Sequence, residues 1–432
     1  MGILLLATRV AGAVDLLDIY LDALAHDARY AAARAQHDAG QEKVAQGRSL
    51  LLPTIGAAAD TNWNDDKTRL RNAATDTEAR YNSNSYTLYL SAPIFRPQNW
   101  QQYKEGELQT DLANSVFGQE TQNLILRTAE AYFNVLIARD ALEAIVQLRT
   151  AAGEQLELAR TSFSVGTVTI TDVHEAQSRF DLASAQEIAA RNTLDVTREA
   201  LARIVGHTPD ELAGLKPGVE ISRPQPDDIA AWVDAAEKGD FGVQAQTLTR
   251  EIAARAYARE RSGHLPTVDL VASYGRNNRP SYSTERYDSG TVGLQLDVPL
   301  YQGGAVSSRA REAAALQIKA DADLEEARRA AALAAREAYL GVTSGMAQVK
   351  ALEAARVSSA SALAANQLGY KVGVRINIDV LNAQSQLADT VQQLSRARYD
   401  TLLAQLRLRA AVGTLGEDDV RAINALLDTT SR

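Results

Sequence analysis

Apolar residues recur at helical spacing through two exceptionally long stretches of this chain. The first runs from about Gln98 to Phe163. Leu126, Ala129, Phe133 and Leu136 mark one face, followed by Leu142, Ile145, Ala152, Leu156, Ala159 and Phe163. It holds no proline, and only Gly106, Gly118 and Gly153 interrupt it. The second runs from about Gly303 to Gly369. At 1.5 Å per residue such a helix is about 100 Å long. A compact globule does not hold such a rod; coiled coils and tubes do.

Shorter helices flank these rods. The pattern predicts them over Asp15–Ala25, 28–52, 168–205, 240–262 and 375–412. Pro53 and Pro266 stop two of them. The period then changes to two. Tyr86, Leu88, Leu90 and Ala92 alternate with Thr87, Tyr89 and Ser91, which predicts a strand hairpin over 54–92. Val268, Leu270, Ala272 and Tyr274, then Val292, Leu294, Leu296 and Val298, predict a second hairpin over 267–298. The polar segments Asp65–Arg80 and Arg276–Ser289 read as long loops at the hairpin tips.

The two patterns are copies. Sliding the chain by 207 residues superimposes 130–206 on 337–413 without a gap. Phe163-Ser-Val-Gly166 returns as Tyr370-Lys-Val-Gly373, and Asp172 falls on Asp379. The expected organisation is a first repeat over 14–205 and a linker at 206–226. A second repeat over 227–413 and a terminal segment at 414–432 complete it. In each half, two short helices laid end to end match one long helix. Each half is therefore a strand hairpin on an antiparallel helical pair, one member of which is broken midway. The breaks, near Asp27, the linker and Gly239, are expected to form an equatorial belt with it.

Composition narrows the function. Net charge is −9, which argues against a general nucleic-acid binder. Cysteine is absent, so disulfides and thiolate metal sites are excluded. No apolar run reaches the roughly 18–20 residues of a membrane helix. Residues 1–13 are short, apolar and end in Ala11-Gly12-Ala13, the form of a signal cleavage site without its basic start. The plainer alternative is a buried N-terminal segment. The five histidines have no ligand spacing, and no nucleotide loop or nucleophile elbow occurs. No enzyme, cofactor or metal site is expected.

Four strands cannot close a barrel, and open edges are forbidden in hydrocarbon. Strands of this length with one apolar face fit an outer-membrane barrel. The chain must therefore pool strands with copies of itself. Two copies give eight strands and a filled interior; three give twelve and a bore. The expected fold is a mixed one: a twelve-stranded membrane β-barrel in a homotrimer, continued by a long α-helical barrel. Trp63, Phe95 and Trp100 fall where interfacial aromatics belong, against outer-membrane lipid. Packing of the hairpin onto the helices is the plainer role for them. A non-conducting coiled-coil protein with β extensions is the alternative reading of the whole chain.

The chain resembles the TolC family of outer-membrane efflux and secretion ducts from Asp15 to its C-terminus. Leu51-Leu-Pro-Thr54, Pro299-Leu-Tyr-Gln-Gly-Gly304, Ile170-Thr-Asp-Val173, Ile378-Asp-Val-Leu381 and Ala411-Val-Gly-Thr-Leu-Gly-Glu417 carry the resemblance. It implies a periplasmic tunnel coupled to an inner-membrane transporter through a periplasmic adaptor. It also implies that Asp379 lines a cation-selective constriction. The family's second aspartate falls on Asn382 here, and Glu175 stands at the equivalent place in the first half as a replacement charge. An entrance latch would join Tyr370 and Arg375 to Thr171 and Asp172. The tips Val165-Gly166 and Val372-Gly373 would dock the adaptor. Plainer roles exist for several: Asp172 as a helix-capping acid, Arg375 as a solvated arginine, the glycines as C-caps. The sequence does not decide between drug efflux and protein export, although Gly413-Thr-Leu-Gly416 resembles the protein-secreting and multipurpose members slightly more.

Overall fold

The computed structural model describes residues 13–69, 75–278 and 286–428. The leader expected over 1–13 lies outside these, apart from Ala13.

In chain order the elements begin with α1 (Leu16–His26), α2 (Ala28–Ser49), β1 (Thr54–Thr68), β2 (Thr77–Phe95), α3 (Pro97–Ser164) and α4 (Ile170–Val205). Then come β3 (Gly214–Leu215), α5 (Ile229–Gly239), α6 (Phe241–Arg261), β4 (Thr267–Asn278) and β5 (Tyr287–Asp297). The chain closes with α7 (Ala305–Lys371), α8 (Asn377–Ala411), α9 (Glu417–Asn424) and β6 (Leu427–Asp428). α3 has 68 residues and α7 has 67, so each is a rod of about 100 Å. No helix among the described residues is long and apolar enough to cross a membrane.

One compact unit comprises residues 36–115 and 245–326. Its sheet has the order β1-β2-β4-β5, antiparallel throughout. Register sorts the side chains. Ile55, Leu90, Ala272 and Val292 lie across from one another, as do Ala57, Leu88 and Tyr274. The other face carries Asp60 opposite Ser85, and Tyr89, Ser273 and Thr291 in one row. The apolar face is open: Val292 is 78% exposed and Leu294 71%. β1 and β5 are the outer strands, each with one pairing side free among the described residues.

The strands exceed the expected hairpins. Asp65–Thr68 and Thr77–Arg80 are paired strand, although their charge reads as loop. Opposite charges across the ladder explain it. Asp65 faces Arg80 at 3.1 Å and Lys67 faces Glu78 at 2.8 Å. Arg276 and Asp288 do the same for the second hairpin, at 2.9 Å. β2 also runs on to Phe95, past Ala92. α2 stops at Ser49, before the expected Leu52, and its end tightens into a turn in which Leu51 N–H donates to Arg48. Below the sheet, helix packing depends on missing side chains: a Cβ at Gly40 would overlap that of Ala113, and one at Gly106 would meet the Lys43 carbonyl.

The other unit comprises residues 1–35, 116–244 and 327–432. Its main core joins Leu16, Ile19 and Ala23 of α1 to Leu124, Tyr132, Phe133 and Leu136 of α3. Leu201 and Val205 of α4, Leu402 and Leu406 of α8, and Val420 and Ile423 of α9 complete it. β3 pairs with β6, and Val14 bridges to Leu212, so the residues just before α1 and just after α9 are tied to the segment after α4. Burial pushes the Tyr132 phenol well up, and its hydroxyl donates to the Ala213 carbonyl at 2.6 Å.

Candidate functional site

The two Val-Gly turns have the same geometry for the same reason. Gly166 and Gly373 both take φ +78°, the left-handed region that favours glycine. Each closes its helix with a pair of bonds that includes a six-residue ring: Thr167 N–H to the Ser162 carbonyl, and Val374 N–H to the Gly369 carbonyl, both at 2.9 Å. The turns leave Val165 70% exposed and Val372 64% exposed. Such apolar tips are a cost without a partner to cover them.

The helices that leave the turns begin differently. Thr169 caps α4: its hydroxyl accepts from Asp172 N–H, and Asp172 accepts from Thr169 N–H at 2.8 Å. At the start of α8 the matching residue is Ile376, which offers no side-chain cap. Asn377, which follows it, is 3% exposed.

A cleft of about 600 Å³ lies between the two turns. Ser162, Thr169 and Asp172 line one wall, and Tyr370, Arg375 and Asn377 the other. Tyr370 and Ser162 both line this cleft, close enough for Ser162 to act on the phenol. Burial pushes the Tyr370 phenol up, and the nearby Asp172 charge adds to this. Arg375, in the turn before α8, reaches to within 3.6 Å of Asp379 in the first turn of that helix. Of the residues singled out from sequence, the fold thus brings Tyr370, Arg375 and Asp172 to one cleft, with Asp379 on Arg375. Thr171 and Glu175 are exposed on α4. Asn382 is engaged: Arg179 Nη2 donates to its Oδ1 at 2.8 Å, tying α4 to α8.

Sequence reasoning passed over Ser162, Asn377 and Arg179. For Asn377 a signal was available. The repeat pairs it with apolar Ile170, and the Thr169 cap with Ile376, so polar and apolar residues have changed places between the halves.

The aromatics divide. Trp63 lies on the apolar face of β1, two steps from Thr61, and is 78% exposed. Phe95 is the last residue of β2, not below it. Trp100 belongs to the first turn of α3, with Lys104 Nζ 5.4 Å from its ring centre.

Amphipathic strands of membrane length, continued into helices of nearly 70 residues, define an outer-membrane channel with a helical periplasmic extension. The chain belongs to the Outer membrane efflux protein family, whose profile matches residues 19–207 and 232–414. It is 35% identical over 425 residues to outer membrane protein TolC of Vibrio cholerae, covering 97% of this chain and 95% of that one. It is 33% identical over 429 residues to the alkaline protease secretion protein AprF of Pseudomonas aeruginosa, covering 98% and 89%. Its fold is similar to the Campylobacter jejuni CmeC outer membrane channel, with TM-score 0.83 at 15% identity over 96% of this chain and 90% of that one. The Vibrio cholerae outer membrane protein VceC gives TM-score 0.79 at 20% identity, over 92% and 96%. The protein is thus an outer-membrane efflux or secretion channel that extends into the periplasm.

Proposed function

We propose that three copies of this chain pool their four-stranded sheets into a twelve-stranded barrel and their helices into a tunnel. The observation that carries this reading is the sheet with two edges free among the described residues and an exposed apolar face. Lipid covers that face, and a neighbour's β5 pairs with β1. The bore is lined by the polar row that contains Tyr89, Ser273 and Thr291. Exposed leucines at multiples of seven along α7, at Leu333, Leu340 and Leu368, supply seams for neighbouring helices. Both repeats, 14–205 and 227–413, contribute one hairpin and one helical pair, and the linker 206–226 with the terminal segment 414–432 forms the belt.

The Val-Gly turns form the tunnel entrance. Tyr370 and Arg375, with Thr171 and Asp172, latch it. Asp379, tripled by symmetry, forms an acidic ring that favours cations, and Glu175 adds charge in place of Asn382. An adaptor of the periplasm docks on Val165-Gly166 and Val372-Gly373 and couples the tunnel to an inner-membrane transporter. AprF and PrtF, two relatives named for protease secretion, support proteins as cargo, and BepC, a relative named as an outer membrane efflux protein, supports efflux.

Recording single channels from the purified, reconstituted protein tests the reading. Cation-selective pores are expected, with higher resting conductance when Tyr370→Phe and Arg375→Ala are combined. Unchanged conductance in that variant rejects the latch.

A further inference from the structure

We infer that Asn377 is a gating residue: its buried, unpaired amide destabilises the shut seam between the two helical pairs and is relieved when they part. This rests on the entrance reading above. Neither Oδ1 nor Nδ2 of Asn377 has a hydrogen-bond partner among the described residues, and the side chain is 3% exposed. An amide in this position has lost its water and gained nothing in exchange.

Its place in the fold gives the amide a role. Asn377, Leu381 and Gln384 stand at i, i+4 and i+7, one face of α8. Leu381 packs on Ala152, Leu156 and Ala159 of α3 and Ala176 of α4, so this face is the one turned to the other helical pair. Gln384 is 7% exposed, and its Oε1 also lacks a partner. The unpaired amide of Asn377 and the unpaired amide oxygen of Gln384 thus flank the leucine that holds the seam. The bond across it, from Arg179 to Asn382, acts in the closing direction. Separation of the pairs hydrates Asn377, so the amide acts in the opening direction. Ile170, its counterpart in the repeat, carries no such group, so the bias belongs to α8 alone. The seam is held by opposed contributions, which suits an entrance that a docking partner opens.

The test is the resting open probability of the assembled channel in planar bilayers. Asn377→Leu keeps the branched shape and the number of heavy atoms and removes the amide. It is expected to lower open probability by roughly tenfold, and Asn377→Ala to lower it with the same sign. Asn377→Asp at neutral pH is expected to raise it. An unchanged or higher open probability in both apolar variants overturns the proposal, as does failure of both to assemble, because the amide would then be needed for the fold. The Tyr370→Phe, Arg375→Ala variant separates this from the entrance reading. If that pair raises conductance while Asn377→Leu does nothing, the gate stands and the role of Asn377 falls. If the pair does nothing while Asn377→Leu lowers open probability, the latch falls and Asn377 remains.

Discussion

Arg96 and Asp269 form a bidentate pair, with Nε donating to Oδ1 at 2.7 Å and Nη2 to Oδ2 at 2.6 Å. Arg96 is the one residue between β2 and α3, and Asp269 lies in β4, so the pair fixes the strand-to-helix corner to the middle of the sheet. Asp269 is 6% exposed. Arg96→Ala leaves that carboxylate without its partner and is expected to cost about 1–3 kcal/mol. The double variant Arg96→Leu, Asp269→Leu is expected to recover most of this. Temperature-dependent unfolding in detergent measures both, and equal losses in the two variants would contradict the assignment.

The end of α8 meets the end of α5 without side chains between them. Gly413 has φ +71°, and a Cβ there would overlap the Gly239 carbonyl oxygen. Gly413→Ala is expected to destabilise by more than about 1 kcal/mol, from backbone strain and from the clash together. Gly416, whose Cβ would meet nothing within 4 Å, is the control. Gly416→Ala is expected to shift the unfolding temperature far less.

Asp240, between α5 and α6, accepts from Val243 N–H at 3.0 Å, yet burial raises its pKa above the ordinary carboxylate value. A raised folded pKa means that the native state holds the proton more tightly. The associated stability is therefore complete below the unfolded pKa of about 3.9 and is lost as pH rises through the folded value. Asp240→Asn keeps the acceptor and removes the charge. It is expected to be the more stable protein at pH 7, with the gap closing below about pH 4. A gap that widens on acidification would contradict this sign.

Much of this architecture is legible because it depends on long-range periodicity. Two rods of nearly 70 residues, two hairpins and two Val-Gly turns are each marked twice. The outer ends of the hairpins are not legible in this way. Asp65, Lys67, Glu78 and Arg80 have the composition of a loop, and only their partners across the ladder make them strand. α5 is hidden as well: its eleven residues follow a linker rich in proline and glycine, and it is held by Trp232, Val233 and Ala236 against other elements. At the entrance, sequence points to Tyr370, Arg375 and Asp172. The place of Ser162 in the cleft and the unpaired state of Asn377 depend on which faces meet, which a single chain of letters does not encode.

Asp379 carries the selectivity in this account, and Arg375 beside it sets how much of its charge is felt. Asp379→Ala is expected to reduce cation preference and weaken block by divalent cations. Arg375→Ala is expected to strengthen both while raising conductance. Reversal potentials in a salt gradient read the two effects. A loss of cation preference in the Arg375 variant would sever the link between the pair.

The central claim is that the chain completes its sheet only with copies of itself. Native mass measurement of the detergent-extracted protein tests this directly, together with the conductance of the same sample. Three chains per particle and a water-filled pore are predicted. A single-chain particle that stays soluble without detergent and carries no current would contradict the account.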